Sequence, residues 1–158
     1  MSVITDTHVF FYQGIFSQFY KSDMIIDKVS YFCCEQYMMA SKAKLFEDKE
    51  IFYKIMKADT PMKCKKLGRQ VKNFDQKIWN ENKYKIVKKG NLAKFKQNKE
   101  LKKQLLSYGD RTFVEASRFD KIWGIGLGIN NPLIMDVKNW KGQNLLGKAI
   151  TEVRDVLK

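Results

Sequence analysis

The chain has 158 residues, 44% hydrophobic and 30% charged, with a formal net charge of +13. That balance is typical of a soluble globular protein and excludes a disordered one. No apolar run reaches the ~20 residues that a membrane-crossing helix needs. The excess charge is almost all lysine; the only arginines are Arg69, Arg111, Arg118 and Arg154. Such a charge suits an anionic ligand, and nucleic acid stays open as a partner. The plainer reading is lysine spread over solvated helix faces.

The length suits one domain, 1–158, around one core. Met1 to Asp6 lacks the basic start and apolar stretch of a signal peptide. His8 to Tyr12 reads as a strand ended by Gly14, and residues 15–20 as an aromatic-rich turn. Ile25 to Phe32 reads as a short hairpin around Asp27-Lys28. Helices are expected over Glu35 to Phe46, over Asp48 to Ala58, and from Pro61 to about Arg69. In the last of these, Thr60 caps and Pro61 takes the first helical position. Asp75 to Tyr108 has a helical pattern interrupted at Gly90-Asn91, which predicts two helices with a break there. Thr112 to Ala116 reads as a strand, and Ile122 to Leu127 as an apolar strand or a tight turn. Residues 128–139 form a loop. Leu145 to Leu157 follows amphipathic helical spacing, with Asn144 as its cap. Helices and short strands without regular βαβ alternation give an α+β fold, predominantly helical with a small sheet.

The cysteines are Cys33, Cys34 and Cys64: an odd number, two of them adjacent, with no CxxC. This argues against a disulfide framework or a zinc site and points to a reducing, cytoplasmic compartment. The only histidine is His8, near the N-terminus, which argues against a histidine-based triad or metal cluster.

The segment Cys34-Glu35-Gln36-Tyr37-Met38-Met39-Ala40-Ser41-Lys42 places a carboxylate and an amine seven residues apart on a helix. Two turns bring Glu35 and Lys42 to one face, ~10 Å apart along the axis. They sit among apolar neighbours, where a charge is costly unless paired or useful. On spacing alone, a helix-face pair too distant for the usual i,i+4 bridge explains them as well.

Four segments together carry a resemblance. Gly14-Ile15-Phe16-Ser17-Gln18-Phe19-Tyr20 is similar to G-x-F-S-N-F-Y, with Gln18 in place of Asn. Cys34 to Ala43 resembles an E-H/Q-Y…A-x-K pattern. Glu115 to Gly126 is similar to E-A-S/T-x-x-D-x-x-W-G-I/V-G. Asn139 to Ala149 resembles W-x-G-x-N-x-L-G. In this order they resemble the NADAR, or YbiA-like, family from about Phe10 to Leu157. The resemblance implies a largely helical α+β domain that hydrolyses N-glycosidic bonds without a metal or organic cofactor. It implies a small phosphorylated N-riboside substrate, such as an intermediate of riboflavin biosynthesis, or ADP-ribose removed from guanine. The phosphorylated N-riboside is the leading expectation; the positive charge leans slightly toward the second, a lean that lysine spread over solvated faces offsets. A binding module for ADP-ribose or nucleic acid is the non-enzymatic alternative, and intact Glu35, Lys42, Asp120 and Trp123 argue against it.

Cleaving an N-riboside develops positive charge at the anomeric carbon, and two carboxylates can manage it. Glu35 and Asp120 are the candidates. The resemblance implies that Lys42 acts covalently, through a Schiff base with a ring-opened sugar. That requires a neutral amine, and a nearby ionised Glu35 would oppose it. Trp79, Trp123 and Trp140 are candidates for stacking on the base, against a core role for each. Gly124 would admit close backbone approach. Arg69 is a fork for phosphate, with Lys94 and Lys141 as weaker candidates. Gly14, Phe16 and Ser17 are expected to wall the pocket, and Asn144 to add a secondary contact.

Overall fold

Side-chain acceptors set most of the helix starts in the computed structural model, which describes residues 1–158. The helices are α1 (Cys34–Leu45), α2 (Lys49–Lys57), α3 (Pro61–Gly68), α4 (Gln76–Gln97), α5 (Lys99–Ser107) and α6 (Leu145–Leu157). The strands are β1 (Ser2–Ile4), β2 (His8–Phe11), β3 (Met24–Ile26), β4 (Val29–Tyr31) and β5 (Thr112–Glu115). Asp48, Thr60 and Asp75 accept the N–H groups of Ile51, Lys63 and Ile78 at 3.1, 3.2 and 3.1 Å. These bonds satisfy donors that a helix start leaves open. The chain forms two compact units: residues 18–98, and residues 1–17 with 99–158. The class is α+β.

In the unit of residues 18–98, α1 is the central element. Its first seven residues, Cys34 to Ala40, are all buried, and α2, α3 and α4 pack around it. A helix enclosed in this way has no solvent face at its start, so its polar residues need internal partners. Gln36 has two: its Oε1 accepts from Phe32 N–H at 2.9 Å and its Nε2 donates to Ile55 O at 3.1 Å. The β3–β4 hairpin turns through Asp27 and Lys28, both at positive φ (50° and 69°). Such a two-residue loop matches the strand twist. The Gln97 side chain then pairs with both backbone groups of Ile25, at 2.8 and 2.7 Å, covering the edge of β3.

The predicted break at Gly90-Asn91 is absent: α4 runs unbroken through both residues. A Cβ at Gly90 would lie 2.9 Å from Tyr37 Cδ2, so glycine serves close packing against α1 here. Asn91 is fully buried, and its Nδ2 donates to Val87 O at 2.9 Å and to Gln18 Oε1 at 2.8 Å. The chain breaks instead at Asn98, which leaves helical geometry at φ −114°, ψ 96°.

In the unit of residues 1–17 and 99–158, β2 lies between β1, antiparallel, and β5, parallel. The short β1, for which the sequence pattern predicts no strand, sends Val3 toward the core. That core gathers Phe10, Val114, Ala116, Ile125, Leu127, Ile129 and Ile134. Residues 122–127 form turns and extended chain with no strand pairing. α6 packs on β5, and the buried Arg154 donates to the carbonyls of Gly109 and Arg111.

Candidate active site

In the unit of residues 18–98, α1 fixes Glu35 and Lys42. Glu35 is buried, and its N–H donates to Gln18 O at 2.9 Å. The Gln18 side chain reaches Asn91 on α4, so Gln18 ties the start of α1 to that helix. The Lys42 amine lies 4.6 Å from the Phe74 ring centroid and 5.7 Å from that of Trp79. Trp79 is buried, whereas Phe74 is 41% exposed and tilts against Phe46 at 5.3 Å. Burial holds the Lys42 amine below the usual lysine range. Glu35 pulls it upward, and Arg69 pushes it down again. This is the balance a nucleophilic lysine requires, because removal from water weakens the ammonium more than the carboxylate restores it. Glu35, Lys42, Arg69 and Trp79 therefore form one electrostatic neighbourhood.

Lys94 is fully buried, with its amine 5.1 Å from the Phe95 ring and 5.5 Å from Tyr20. Burial lowers its pKa, while Cys34 and Cys33 oppose the shift. Enclosed in this way, it has no surface to offer a phosphate. Arg69 is exposed at the end of α3 and keeps that capacity. The Asn91 Oδ1 is buried without a hydrogen-bond partner.

The other candidates lie in the unit of residues 1–17 and 99–158, where structural tasks occupy most of them. Asp120 Oδ1 accepts the N–H groups of Ile122 and Trp123 at 2.9 and 2.8 Å, and Asp120 O accepts from Gly126 N–H at 3.1 Å. Its carboxylate thus organises the turn that carries the half-buried Trp123. Gly124 faces backbone: a Cβ there would lie 2.9 Å from Glu115 O and 3.0 Å from Asp120 O. Trp140 donates from its indole to Ile134 O at 2.8 Å and meets Phe10 edge-on at 6.2 Å. Phe16 is a core ring, 4.9 Å from Phe113 and 5.4 Å from Phe11. Gly14, at φ 74°, begins the 3-10 turn that Ser17 closes through its N–H to Gly14 O at 3.0 Å. Asn144 corrects another expectation. It precedes α6 at φ 53° and makes no side-chain cap. Its amide instead accepts from Glu115 N–H at 2.9 Å and donates to Phe113 O at 3.1 Å, tying the start of α6 to β5.

Phe74 lies at this site outside every motif of the sequence, and Asn91, expected to mark a helix break, is instead buried against Gln18. Phe74 had a signal. It precedes the helix-capping Asp75, and Trp79 stands at the fourth helical position; these are the two places that a hydrophobic staple occupies.

The NADAR domain profile matches residues 9–158. The chain belongs to the NADAR family. This NADAR chain is 43% identical to N-glycosidase R617 of Acanthamoeba polyphaga mimivirus, covering 96% of each chain. It is 26% identical to a riboflavin biosynthesis protein of Vibrio vulnificus, over 99% of this chain and 40% of that one. Its fold matches the NMR structure of Escherichia coli YbiA with a TM-score of 0.79 and 29% identity, over 98% of this chain and 87% of that one. Full-length kinship with N-glycosidases makes this NADAR protein a hydrolase acting on N-glycosyl compounds. No helix is long and apolar enough to cross a membrane.

Proposed function

We propose that the substrate is a small phosphorylated N-riboside and that Lys42 and Glu35 carry the reaction. The observation behind this reading is the Lys42 amine, held against two aromatic rings and kept below the usual lysine range by burial. A neutral amine is a nucleophile, and an ammonium is not. The Lys42 Nζ bonds to the anomeric carbon while the bond from that carbon to the base nitrogen breaks. The bonding electrons leave with the base, which takes a proton from Glu35, protonated at this step. The nitrogen loses a proton to Glu35, and its lone pair opens the sugar ring. The ring oxygen takes that proton and an iminium forms at Lys42. Water adds to the iminium carbon as Glu35 accepts its proton; Glu35 then protonates Nζ as the carbon–nitrogen bond breaks, and the carbinolamine hydroxyl returns a proton to Glu35, which releases the open-chain sugar aldehyde and the free amine.

The exposed guanidinium of Arg69 beside this site is a fork for the phosphate. A riboflavin-pathway relative supports a ribosylaminopyrimidine phosphate as the substrate class. One family profile spans both units, which supports reading residues 1–158 as one functional domain. Three free, buried cysteines support a reducing, cytoplasmic setting.

Charge favours a second reading. Residues 18–98 carry 19 Lys and Arg against nine Asp and Glu. A field of this kind attracts a polyanion, such as nucleic acid bearing ADP-ribose on guanine. The test incubates the protein with a 5′-phosphorylated ribosylaminopyrimidine and with ADP-ribosylated guanine DNA, and follows the release of free base, ribose 5-phosphate or ADP-ribose. Borohydride added during turnover should leave a sugar adduct on Lys42. Release without any adduct sinks the covalent role; release from the DNA alone selects the second reading.

A further inference from the structure

We propose that Phe74 is a positioning residue for the Lys42 amine, forming with Trp79 a two-walled aromatic box that holds a cation at Nζ. The proposal rests on the reading of Lys42 as nucleophile and extends it to the groups around the amine. Aromatic faces carry negative charge and attract a cation within about 6 Å of the ring centroid. The Lys42 amine meets that condition twice, at 4.6 and 5.7 Å.

The geometry of Phe74 is fixed from several sides. Asn73, before it, takes φ 58°, and Asp75, after it, caps α4. Two residues back, Lys72 N–H donates to Asp48 Oδ2 at 2.9 Å, while Asp48 Oδ1 caps α2. Phe46, the residue that ends α1, supports the ring at 5.3 Å. The segment from α3 to α4 is therefore anchored where it passes the amine, yet Phe74 keeps 41% of its surface exposed. A core-filling phenylalanine would be buried, and a ring needed only as a staple would not have to face an amine.

The box acts at two stages. Before reaction it orients Nζ between two faces. After attack, the iminium at Lys42 is a cation at the same place and meets the same faces. Attraction of the ring faces for the ammonium opposes the neutral amine, which burial favours, so the box stabilises the cationic intermediate while burial keeps the amine reactive. The charged groups acting on Nζ are Glu35 from α1 and Arg69 from the end of α3; the residue contributed by α4, Trp79, is uncharged.

The test replaces Phe74 with pentafluorophenylalanine, which keeps the shape but reverses the charge of the ring face. Three readouts are taken: the pKa of Lys42, from the pH dependence of its acetylation in the free protein; kcat and KM with the phosphorylated ribosylaminopyrimidine; and borohydride trapping. Loss of the π attraction should lower the Lys42 pKa by about half a unit and move the acid limb of kcat the same way. The plateau kcat should fall roughly fivefold with KM within twofold, and Phe74→Tyr should restore all three. If the fluorinated protein keeps the wild-type Lys42 pKa and kcat while the adduct is still trapped, Phe74 has no such role and the Lys42 reading stands. If wild-type protein turns over with no adduct and Lys42→Ala is fully active, the Lys42 reading fails and the catalytic role of the box fails with it.

Discussion

The two units hold their candidate residues in opposite ways. In residues 18–98, the candidates Glu35, Lys42 and Trp79 project from helices packed on one another, and the helix backbone is satisfied without them. Burial lowers the Lys42 amine below the usual lysine range. In residues 1–17 and 99–158, Asp120, Asn144, Trp140 and Phe16 hold backbone or core together. Charge divides the same way: 19 basic and nine acidic residues in the first unit, 11 and eight in the second. A motif residue can thus be specific because it reacts or because it builds a turn, and activity measured beside stability separates the two.

The contrast can be broken most directly at Lys42. Lys42→Ala should lower kcat by at least about 100-fold with the melting temperature little changed; substantial residual turnover would place the chemistry elsewhere. Asn144→Ala should do the reverse, costing about 2 kcal/mol in denaturant unfolding, because Glu115 N–H and Phe113 O lose their partner. Asn144→Gly should cost less, since it relieves the left-handed backbone but not the lost bonds.

Asp120 tests the middle ground. Asp120→Ala should cost about 1 kcal/mol through the lost turn. Asp120→Asn, which keeps an acceptor at Oδ1, should restore stability. If Asp120→Asn is stable but inactive, the carboxylate takes part in the chemistry and the contrast between units is too sharp. A pH profile adds a smaller effect. Because the Lys42 pKa is lowered, the neutral fraction at a given pH exceeds that of an ordinary lysine. Activity should therefore rise with pH through a limb below the usual lysine value, and Arg69→Gln should move that limb upward. The smallest effect concerns the surface. Binding to duplex DNA should fall steeply with salt and show little sequence preference.

Periodicity and caps made much of the fold legible. Thr60-Pro61, Asp48 and Asp75 each begin a helix where a polar acceptor precedes an apolar pattern, and Asp27-Lys28 marks the hairpin. Gly90-Asn91 misled because glycine and asparagine are local signals, whereas Tyr37 and Gln18, which use them, lie 53 and 73 positions earlier in the chain. Asn144 misled for the same reason, since its partners are on β5. At the candidate site, the helical face of Glu35 and Lys42 could be read from spacing. The sign of the Lys42 shift could not, because it depends on how far burial outweighs Glu35. The aromatic wall was partly written in the staple positions of Phe74 and Trp79, which pattern reading treats as helix entry alone.

The parallel pairing of β2 with β5 also constrains how the chain folds. His8 pairs with Thr112 across the whole of residues 18–98. Those residues are contiguous, so they can collapse as soon as they leave the ribosome, whereas the three-stranded sheet must wait for β5 and α6. Until then β2 exposes an unpaired edge, and closing so long a loop is entropically slow. Synthesis from the N-terminus therefore favours completing the helical insert first, with sheet closure as the late step and the period of greatest aggregation risk.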